Sequence, residues 1–371
     1  MQYSYWEIKS WFQHIDFAVI GSGIVGLSCA LQLRELHPKA KIIVFEKGLL
    51  PQGASTKNAG FACFGSVSEL LDDRQHHSEE ELLQLVTKRW EGLQLLRTLV
   101  GDKPMDFQQH GGYELFFSDA QNTFEHCRDQ LNAINRLLAP LFATAVFTEK
   151  PTPFGFGNVS KHCLFNRFEG QIDTGKMMDA LLEKARMANI RVLNNAPLMS
   201  FEETNEKIFL QFPDLSVHCR KLFLATNGFS SALVEEEITP ARAQVLITEP
   251  IEKLPIRGTF HLDRGYYYFR NIDNRILLGG GRNLDSIGET TEAFGLHPQI
   301  QAALDRILNS LIFPNQNVKV AQRWSGIMGM GPKKSTLIKP MGKNSYCGIR
   351  LGGMGVAIGA AVGKELALFS A

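Results

Sequence analysis

Cysteine is scarce in this sequence, and the few cysteines show no close spacing. They are Cys29, Cys63, Cys127, Cys163, Cys219 and Cys347. The 371 residues contain no Cys-x-x-Cys pair and no cysteine–histidine cluster. This spacing excludes the usual zinc-finger and zinc-ribbon patterns, and it gives no disulfide framework of the kind found in small secreted domains. We therefore expect no bound metal.

A targeting pattern is also missing from the first residues. Residues 1–16 read MQYSYWEIKSWFQHID, without the basic start and apolar stretch of a secretory signal. Together with the scattered cysteines, this predicts a reducing, cytoplasmic setting.

Neither the charge balance nor a long apolar run points to nucleic acid or membrane as a partner. The chain has 39 Lys and Arg against 38 Asp and Glu, a formal net charge of +1 at pH 7, so a general attraction to polyanions is not expected. The most apolar stretch, residues 346–369, is interrupted by Arg350, Lys364 and Glu365. Its apolar run is too short to span a bilayer comfortably, so we expect a buried segment.

What the sequence does contain is a glycine-rich unit near its start. Residues 17–48 read as an apolar strand, a glycine turn, a helix and a second apolar strand that ends at Glu46. Gly21 permits the tight turn, Gly23 lets the backbone approach a pyrophosphate, and Gly26 lets the helix pack closely on the strand. The helix N-terminus offers N–H groups to phosphates. Glu46, twenty positions after Gly26, can accept hydrogen bonds from an adenosine ribose. The unit predicts a dinucleotide site but does not decide between NAD and FAD.

Two later segments suit the same ligand. The loop over residues 49–65 contains GASTKNAGFACFG, whose small residues permit close passage past a ligand. A very apolar strand is predicted over 221–225, and it ends at Thr226-Asn227-Gly228. Ligands of open α/β sheets bind at the carboxyl ends of the strands, so this turn is well placed for the nucleotide.

The pattern changes at residue 243. From 243 to 282 the chain reads as short alternating strands, which predicts an antiparallel sheet inserted between α/β pieces. A chain of 371 residues exceeds the usual size of one hydrophobic core, so two domains are expected. Helices are predicted over residues 78–100, 122–138, 173–189 and 299–311, and from residue 356 onward.

In this order, the segments resemble the D-amino-acid oxidase/glycine oxidase superfamily of FAD-dependent oxidoreductases over nearly the whole chain. The resemblance implies an α/β fold (α+β overall), with a Rossmann-like FAD-binding domain of discontinuous segments and an inserted antiparallel-sheet substrate domain. We assign residues 14–100, 165–235 and 325–371 to the FAD-binding domain, and residues 101–164 and 236–324 to the substrate-binding domain. The motifs that carry the resemblance are GSGIVGLSCALQL with Glu46-Lys47, GASTKNAG, GQIDTGKMMDALLEKA, LFLATNGF, YYFRNIDNRILLGGG, RWSG and LGGMGVAIGAAVGKELA.

The resemblance also implies a role for each matching residue. The glycine turn would hold the pyrophosphate, Glu46 and Lys47 the adenosine ribose, and Met199 the adenine through its backbone. Residues 55–60 would follow the ribityl chain and the flavin ring. Residues 353–356 would lie at the pyrimidine edge, where a helix start can stabilise negative charge on the reduced ring. The expected FAD-binding residues are Gly21, Ser22, Gly23, Ile24, Gly26, Glu46, Lys47, Ser55, Thr56, Asn58, Ala59, Gly60, Met199, Ala225, Thr226, Asn227, Gly228, Gly353, Met354, Gly355 and Val356.

The activity implied by the resemblance is removal of a hydride from the C–N bond of an amine or amino-acid-like substrate. The products would be an imine and reduced flavin, which dioxygen or another acceptor reoxidises. Three alternatives stay open here: a 2-hydroxy-acid dehydrogenase of the same superfamily, an NAD(P)H-dependent flavoprotein reductase, and a protein that uses FAD structurally. The sequence has no second strand–GxGxxG–helix unit for a nicotinamide nucleotide. The surroundings of Cys347 do not match a covalent-flavin pattern, so FAD is expected to bind non-covalently.

The substrate-site candidates come from one strand and from one departure from the family pattern. Tyr266, Tyr268 and Arg270 share one face of a strand, and an arginine there can bind a carboxylate bidentately. Glycine and D-amino-acid oxidases carry a carboxylate-binding arginine shortly after the WxG turn, but this sequence has Met328 there. An apolar Met cannot compensate a buried carboxylate. A larger amine, an N-substituted amino acid or a carboxylate held by Arg270 therefore fits better than a free α-amino acid.

The catalytic-site candidates are thus Tyr268, Arg270 and Met328. Arg282 and Asn283 are further candidates, and His110 is expected to be structural. The other basic residues near the WxG turn are Arg323, Lys333 and Lys334.

Overall fold

Two large β-sheets organise the chain. A computed structural model describes residues 3–236, 238–332 and 335–371. Within these residues, the central strands of one eight-stranded sheet are parallel, and a second eight-stranded sheet is antiparallel except at one pair of strands. The predicted fold class is confirmed: a Rossmann-like layer stands beside an antiparallel sheet.

The helices agree closely with the periodicity of the sequence. The helix predicted over 78–100 starts after its capping residue Ser78, and the helix predicted over 173–189 starts after Asp173. Both side chains accept a backbone N–H in the first helical turn, which stabilises the helix start. The α-helices of the described residues are α1 (Tyr5–Glu7), α2 (Ile24–Leu36), α3 (Val67–Arg74), α4 (Glu79–Val100), α5 (Gln121–Leu138), α6 (Thr174–Met187), α7 (Pro298–Ile307) and α8 (Gly355–Leu368).

The strand predicted over 221–225 forms the end of a longer strand, β11. The strands are β1 (Ile15–Ile20), β2 (Ile42–Phe45), β3 (Phe61–Ala62), β4 (Gly112–Glu114), β5 (Phe147–Pro151), β6 (His162–Asn166), β7 (Gly170–Gln171), β8 (Arg191–Leu193), β9 (Ser200–Glu203), β10 (Ile208–Phe212), β11 (Leu215–Leu224), β12 (Thr239–Thr248), β13 (Thr259–Leu262), β14 (Tyr267–Ile272), β15 (Arg275–Gly280), β16 (Val320–Met330), β17 (Leu337–Pro340) and β18 (Ser345–Ile349).

The glycine turn follows β1, a central strand of the first sheet. Its main path runs β17-β18-β11-β1-β2-β8, and β1 pairs in parallel with both β11 and β2. A Cβ atom at Gly26 would lie 1.8 Å from the carbonyl oxygen of Gly21, so no side chain fits where α2 leaves the turn. The close packing of α2 on β1 therefore requires glycine at this position.

The apolar terminal segment, residues 346–369, contains most of β18 and the whole of α8, and α8 packs against α2. A Cβ at Gly363 would lie 2.5 Å from the carbonyl oxygen of Val25, and a Cβ at Gly359 would lie 2.8 Å from Cγ2 of Ile24. The small residues of this helix therefore serve contact between two helices. None of the described helices combines the length and the apolar character needed to cross a membrane.

The second sheet has the order β16-β12-β15-β14-β13-β4-β6-β5. Its core is mostly leucine and isoleucine, and within it the rings of Phe260 and Phe269 stack at 4.5 Å between centroids. The boundary predicted between residues 324 and 325 falls inside β16, which pairs with β12 from Val320 to Met330. Residues 325–330 therefore belong to the antiparallel sheet. The division into two domains otherwise stays a prediction.

Candidate active site

A single cavity of about 540 Å³ joins the two sheets. At one end its wall contains Gly21, Gly23 and Ile24 of the glycine turn, and at the other it contains Tyr266 and Tyr268 of the second sheet. The cavity therefore collects residues from widely separated parts of the chain, as the parallel-sheet topology predicted.

The glycine turn presents backbone to the cavity. A Cβ at Gly23 would lie 2.8 Å from Oγ of Ser55, and the N–H of Ile24 donates to the same oxygen at 3.0 Å. Gly21 has φ +99°, and a Cβ there would lie 2.8 Å from the carbonyl oxygen of Ala225. Helix α2 thus starts at the cavity wall, where its positive N-terminal end attracts a phosphate, and the Ser55 hydroxyl, which accepts the N–H of Ile24, can donate to the same phosphate.

Several hydrogen bonds fix the carboxylate of Glu46. It is buried, and its carboxylate accepts the N–H of Ser22 at 2.9 Å and the hydroxyl of Ser22 at 2.8 Å. The N–H groups of Gly48 and Gln52 reach its other oxygen at 3.1 and 3.3 Å. Glu46 lines the cavity, whereas Ser22 does not. Ser22 therefore orients the carboxylate instead of meeting the ligand.

The adenosine end of the cavity departs from the expectation at one residue. Met199 is 59% exposed, does not line the cavity, and donates its N–H to the carbonyl oxygen of Gln211 at 2.8 Å. The strand β9 begins one residue later, which draws Met199 into the β9–β10 ladder. Its neighbour Leu198 lines the cavity instead. Lys47 lies at this end as expected, with Nζ 3.1 Å from the ring centroid of Phe229.

The loop after Gly53 keeps its shape through its own side chains. Asn58 donates to the carbonyl oxygens of Ala54 and Ser55 at 3.1 and 3.0 Å, and its Oδ1 accepts the N–H of Gly60 at 2.8 Å. Thr56 donates to the carbonyl oxygen of Pro51 at 2.6 Å and does not line the cavity. Ser55, Asn58, Ala59 and Gly60 do line it.

Arg270 lies behind this loop and outside the cavity wall. Its side chain donates to the carbonyl oxygens of Ala59, Ile172 and Asn271, the last two at 2.9 and 3.1 Å. The residue is only 2% exposed. Burial lowers the pKa of Arg270 to about 10, so the guanidinium is charged at neutral pH. The structure does not bring Arg270 to a position where it could bind a substrate carboxylate.

Asn227 connects two of the predicted segments. Its Oδ1 accepts the N–H groups of Arg350 and Leu351 at 3.1 and 3.2 Å, just before α8. Thr226 and Gly228 line the cavity beside it. The amide of Asn227 therefore fixes the approach to α8, whose first residues the sequence assigned to the flavin edge.

Residues 353–356 all line the cavity. Gly353 has φ +86°, and a Cβ there would lie 3.5 Å from Sδ of Met328. Met328 also lines the cavity, as does Tyr268. Two of the three catalytic-site candidates are thus brought together with the start of α8, and the third, Arg270, is not.

The remaining basic and polar candidates divide between the cavity and the rest of the molecule. Arg282 lines the cavity, but Asn283 and His110 do not. Arg323 donates to Asp305 at 2.7 Å and to Gln301 at 2.6 Å, away from the cavity wall. Lys333 and Lys334 lie outside the described residues.

An acid–histidine group that the sequence did not predict lies at the far end of the cavity. His261 and Glu69 line the cavity, and Nε2 of His261 lies 2.5 Å from Oε1 of the buried Glu169. Burial alone would lower the pKa of His261, but the carboxylates of Glu169, Glu69 and Glu114 outweigh it and raise the pKa to about 9. Glu69, Glu114, Glu169 and His261 lie in four separate parts of the chain, and no spacing in the sequence connects them.

One of these contacts bears on metal binding. Cys63, Glu169 and His261 offer ligand atoms within 4.8 Å of one another. However, 2.5 Å between the His261 nitrogen and the Glu169 oxygen is a hydrogen-bond distance, and two ligands of one tetrahedral zinc ion lie about 3.3 Å apart. The arrangement is that of an ion pair, and the absence of a metal stays a prediction.

The residues present fit FAD. The glycine turn leaves a backbone cradle that a Cβ at Gly23 would fill, and α2 starts beside it. Glu46 lies at the end of β2, and the start of α8 meets the same cavity. A dinucleotide pyrophosphate, a ribose and a flavin ring thus each have a matching part of the wall.

Comparison with known proteins agrees with this assignment. The family described as FAD dependent oxidoreductase matches residues 16–368. Glycine oxidase from Bacillus subtilis (strain 168) is 21% identical over 85% of this chain and 81% of its own length. The crystal structure of glycine oxidase from Geobacillus kaustophilus superposes with a TM-score of 0.73 at 14% identity, covering 96% of this chain and 94% of that one. L-proline dehydrogenase from P. horikoshii gives a TM-score of 0.72 at 17% identity, covering 95% and 92% of the two chains. Because the family match spans nearly the whole chain, this protein belongs to the FAD-dependent oxidoreductase family, and FAD is its cofactor.

Proposed function

We propose that this protein oxidises an amine or an amino-acid-like substrate at the carbon that bears the nitrogen. The observation that supports it is the continuity of the cavity, in which the start of α8 and the side chains of Tyr268 and Met328 share one space. A substrate between Tyr268 and the start of α8 would therefore meet the flavin ring directly. Glycine oxidase, sarcosine oxidase subunit beta and γ-glutamylputrescine oxidoreductase are among the curated relatives.

Bound FAD would supply the acceptor for the hydride. The role of the chain is to orient the substrate and to stabilise the charge that develops. The N-terminus of α8 points its N–H groups and helix dipole at the cavity, which favours negative charge at that edge. Gly353 and Gly355 leave the approach free of Cβ atoms.

The phenol of Tyr268 can act as a fixed donor. Its removal from water raises the pKa of Tyr268 to about 12, so the hydroxyl stays protonated at every physiological pH. The ring packs edge-on against Phe61 at 5.5 Å. Together with Met328, these side chains give the substrate region an apolar lining, which excludes water from the reacting carbon.

An amine fits this lining better than a 2-hydroxy acid. The family position for a carboxylate-binding arginine holds Met328, and the guanidinium of Arg270 is bound to backbone carbonyls instead. A 2-hydroxy acid must place a carboxylate near the flavin, and an unpaired carboxylate is costly to bury. We further propose a cytoplasmic protein with a small-molecule donor, with dioxygen or another acceptor for the electrons, and without nucleic acid or membrane as a partner.

Anaerobic reduction of the purified yellow protein tests the proposal. The flavin absorbance would be followed after mixing with a panel of primary amines, N-substituted amino acids, 2-hydroxy acids and NADPH. We expect bleaching by at least one amine and not by NADPH. Bleaching by 2-hydroxy acids alone, or by NADPH alone, would replace amine oxidation with one of the alternative activities. If none of these compounds reduces the flavin, a structural use of FAD is favoured.

A further inference from the structure

The cavity wall opposite the glycine turn carries a carboxylate with one oxygen still available. Glu69 lies in the first turn of α3, where its Oε2 accepts the N–H of Ser66 at 2.9 Å. Its Oε1 has no hydrogen-bond partner among the residues that the structure describes, and the side chain, 17% exposed, lines the cavity. This oxygen can therefore accept a hydrogen bond from a ligand without losing one from the protein.

The neighbouring charge does not neutralise Glu69. His261 has its Nδ1 3.9 Å from Oε2 of Glu69, but its Nε2 is bound to Glu169. The positive charge of the ring is therefore shared between two carboxylates, and a third, Glu114, is buried near them. Within the described ranges, no lysine or arginine pairs with Glu69. Arg264 and Asp72 also line the cavity, so the carboxylates at this end outnumber its cations, and the excess of charge is negative.

The walls beside Glu69 are aromatic. Phe61, Tyr266 and Tyr268 line the same part of the cavity, and Phe61 packs edge-on against Tyr268 at 5.5 Å and against His261 at 5.2 Å. Aromatic faces attract ammonium and guanidinium groups, and the attraction grows as these groups lose water. A carboxylate oxygen and aromatic walls in one small space are complementary to a cation.

We propose that Glu69 determines specificity, by binding a second cationic group of the amine substrate at a distance from the nitrogen that is oxidised. The substrate class is then an amine with a further ammonium or guanidinium group, such as a diamine or an N-substituted diamine. This inference rests on the proposed function, because it assumes that an amine is oxidised in this cavity. An anionic substrate would instead need a cation, and Lys47, Lys57, Arg264 and Arg282 line the cavity.

The test compares holoenzyme activity on three matched series of primary amines with three to six carbons. These are the 1,ω-diamines, the 1-aminoalkanes and the ω-amino acids of equal length. We expect kcat/KM for the best diamine to exceed that of its monoamine by about tenfold to a hundredfold, the range that one charge-assisted hydrogen bond supports. The ω-amino acids should be the poorest substrates. Calorimetric binding of the same compounds gives a readout that does not depend on turnover.

The key variant is Glu69→Gln, which keeps one oxygen as the acceptor for Ser66, removes the charge and replaces the second oxygen by an NH2 donor. We expect it to reduce the diamine preference to about threefold or less, mainly through KM, with little change for the monoamines. Glu81→Gln is the matched control, because Glu81 accepts the N–H of Ser78 at 2.8 Å in the equivalent capping box of α4, away from the cavity. It should leave the preference unchanged.

Three outcomes would overturn the inference. They are equal use or equal binding of diamines and monoamines by the wild type, an unchanged preference in Glu69→Gln, and a preference of the wild type for ω-amino acids over diamines. None of these outcomes contradicts the proposed function. The proposed function fails only if no amine in the broader panel reduces the flavin.

Discussion

The carboxylate of Glu46 accepts two hydrogen bonds from Ser22, one from its N–H at 2.9 Å and one from its hydroxyl at 2.8 Å. Both residues are buried, at 4% and 0% exposure. The end of β2 is thereby tied to the second residue of the glycine turn. The acid after β2 therefore has two roles, since it shapes the turn before any ribose reaches it.

Replacement of Ser22 by alanine tests this relationship. Ser22→Ala removes the hydroxyl donor and leaves a buried carboxylate oxygen with one partner fewer, which we expect to cost about 1–3 kcal/mol in free energy of unfolding. The affinity for FAD should also fall, because the turn and Glu46 lose their common support. Thermal unfolding and quenching of flavin fluorescence measure the two effects.

Ser28→Ala is the matched control for this change. Ser28 is also buried, on α2, but its hydroxyl has no hydrogen-bond partner within the described part of the chain. We expect its removal to alter neither stability nor FAD affinity appreciably. Equal effects of the two substitutions would show that the Ser22–Glu46 contact contributes no more to stability or FAD affinity than the unbonded hydroxyl of Ser28 does.

Arg270 is expected to act on the cofactor and not on the substrate. Arg270→Leu would leave the carbonyl oxygens of Ala59 and Ile172 without their donor, inside the protein. We expect a loss of about 3 kcal/mol or more in free energy of unfolding, and an FAD dissociation constant raised about tenfold or more. KM values for substrates with and without a carboxylate should change in parallel.

Arg275→Leu provides the comparison for Arg270. Arg275 also donates to a backbone carbonyl, that of Thr248 at 2.7 Å, but it lies outside the cavity wall. Its loss should affect stability with little effect on FAD binding. A rise in KM confined to carboxylate-bearing substrates of the Arg270 variant would restore the role predicted from sequence.

The contact between Asn227 and the approach to α8 gives a third prediction. Asn227 has φ +44°, so Asn227→Gly relieves the backbone while removing the acceptor of two N–H groups. We expect weaker FAD binding and a shifted flavin absorption spectrum, because the start of α8 loses its support. Asn227→Asp keeps an acceptor oxygen and should retain FAD binding better than Asn227→Gly. The same affinity in both variants would contradict a role for the side-chain oxygen.

The parts of the fold and site that the sequence predicted are those carried by local pattern. Apolar periodicity and the spacing of the glycines predict the glycine turn, α2, β2 and α8. The glycines stand where a side chain would not fit, so the positions of these elements at the cavity could be expected. The face of β14 that carries Tyr268 and Arg270 was also predictable from alternation. What alternation could not show is where a long side chain ends, and the guanidinium of Arg270 ends on the carbonyls of Ala59 and Ile172.

Other features depend on contacts between distant elements. His261 meets Glu169 and Glu69 only because β13 pairs with β4 and α3 packs nearby. No spacing in the sequence connects these residues. The position of Met199 also depends on such a contact, because its N–H donates to Gln211 of the neighbouring strand β10 and not towards the cavity.

The pair formed by His261 and Glu169 should make stability depend on pH in a defined window. Despite the lowering effect of burial, the surrounding carboxylates raise the pKa of His261 from 6.5 to about 9. A group whose pKa is raised by folding contributes its full stabilisation below pH 6.5 and loses it as the pH rises through 9. We expect the wild type to lose on the order of 3 kcal/mol from this source between pH 6.5 and 9.

Urea unfolding at several pH values, on wild type and on His261→Gln, isolates this contribution. All other titrating groups are common to both proteins, so the difference between their free energies of unfolding should shrink steadily from pH 6.5 to 9. His162→Gln serves as control, because His162 pairs with Glu149 at 3.1 Å on the surface, with half of its side chain exposed. Water screens that pair, so its removal should leave the pH profile almost unchanged. A His261 variant with the wild-type profile would mean that the buried imidazole is neutral, and Glu69 would then face the cavity with no positive charge beside it.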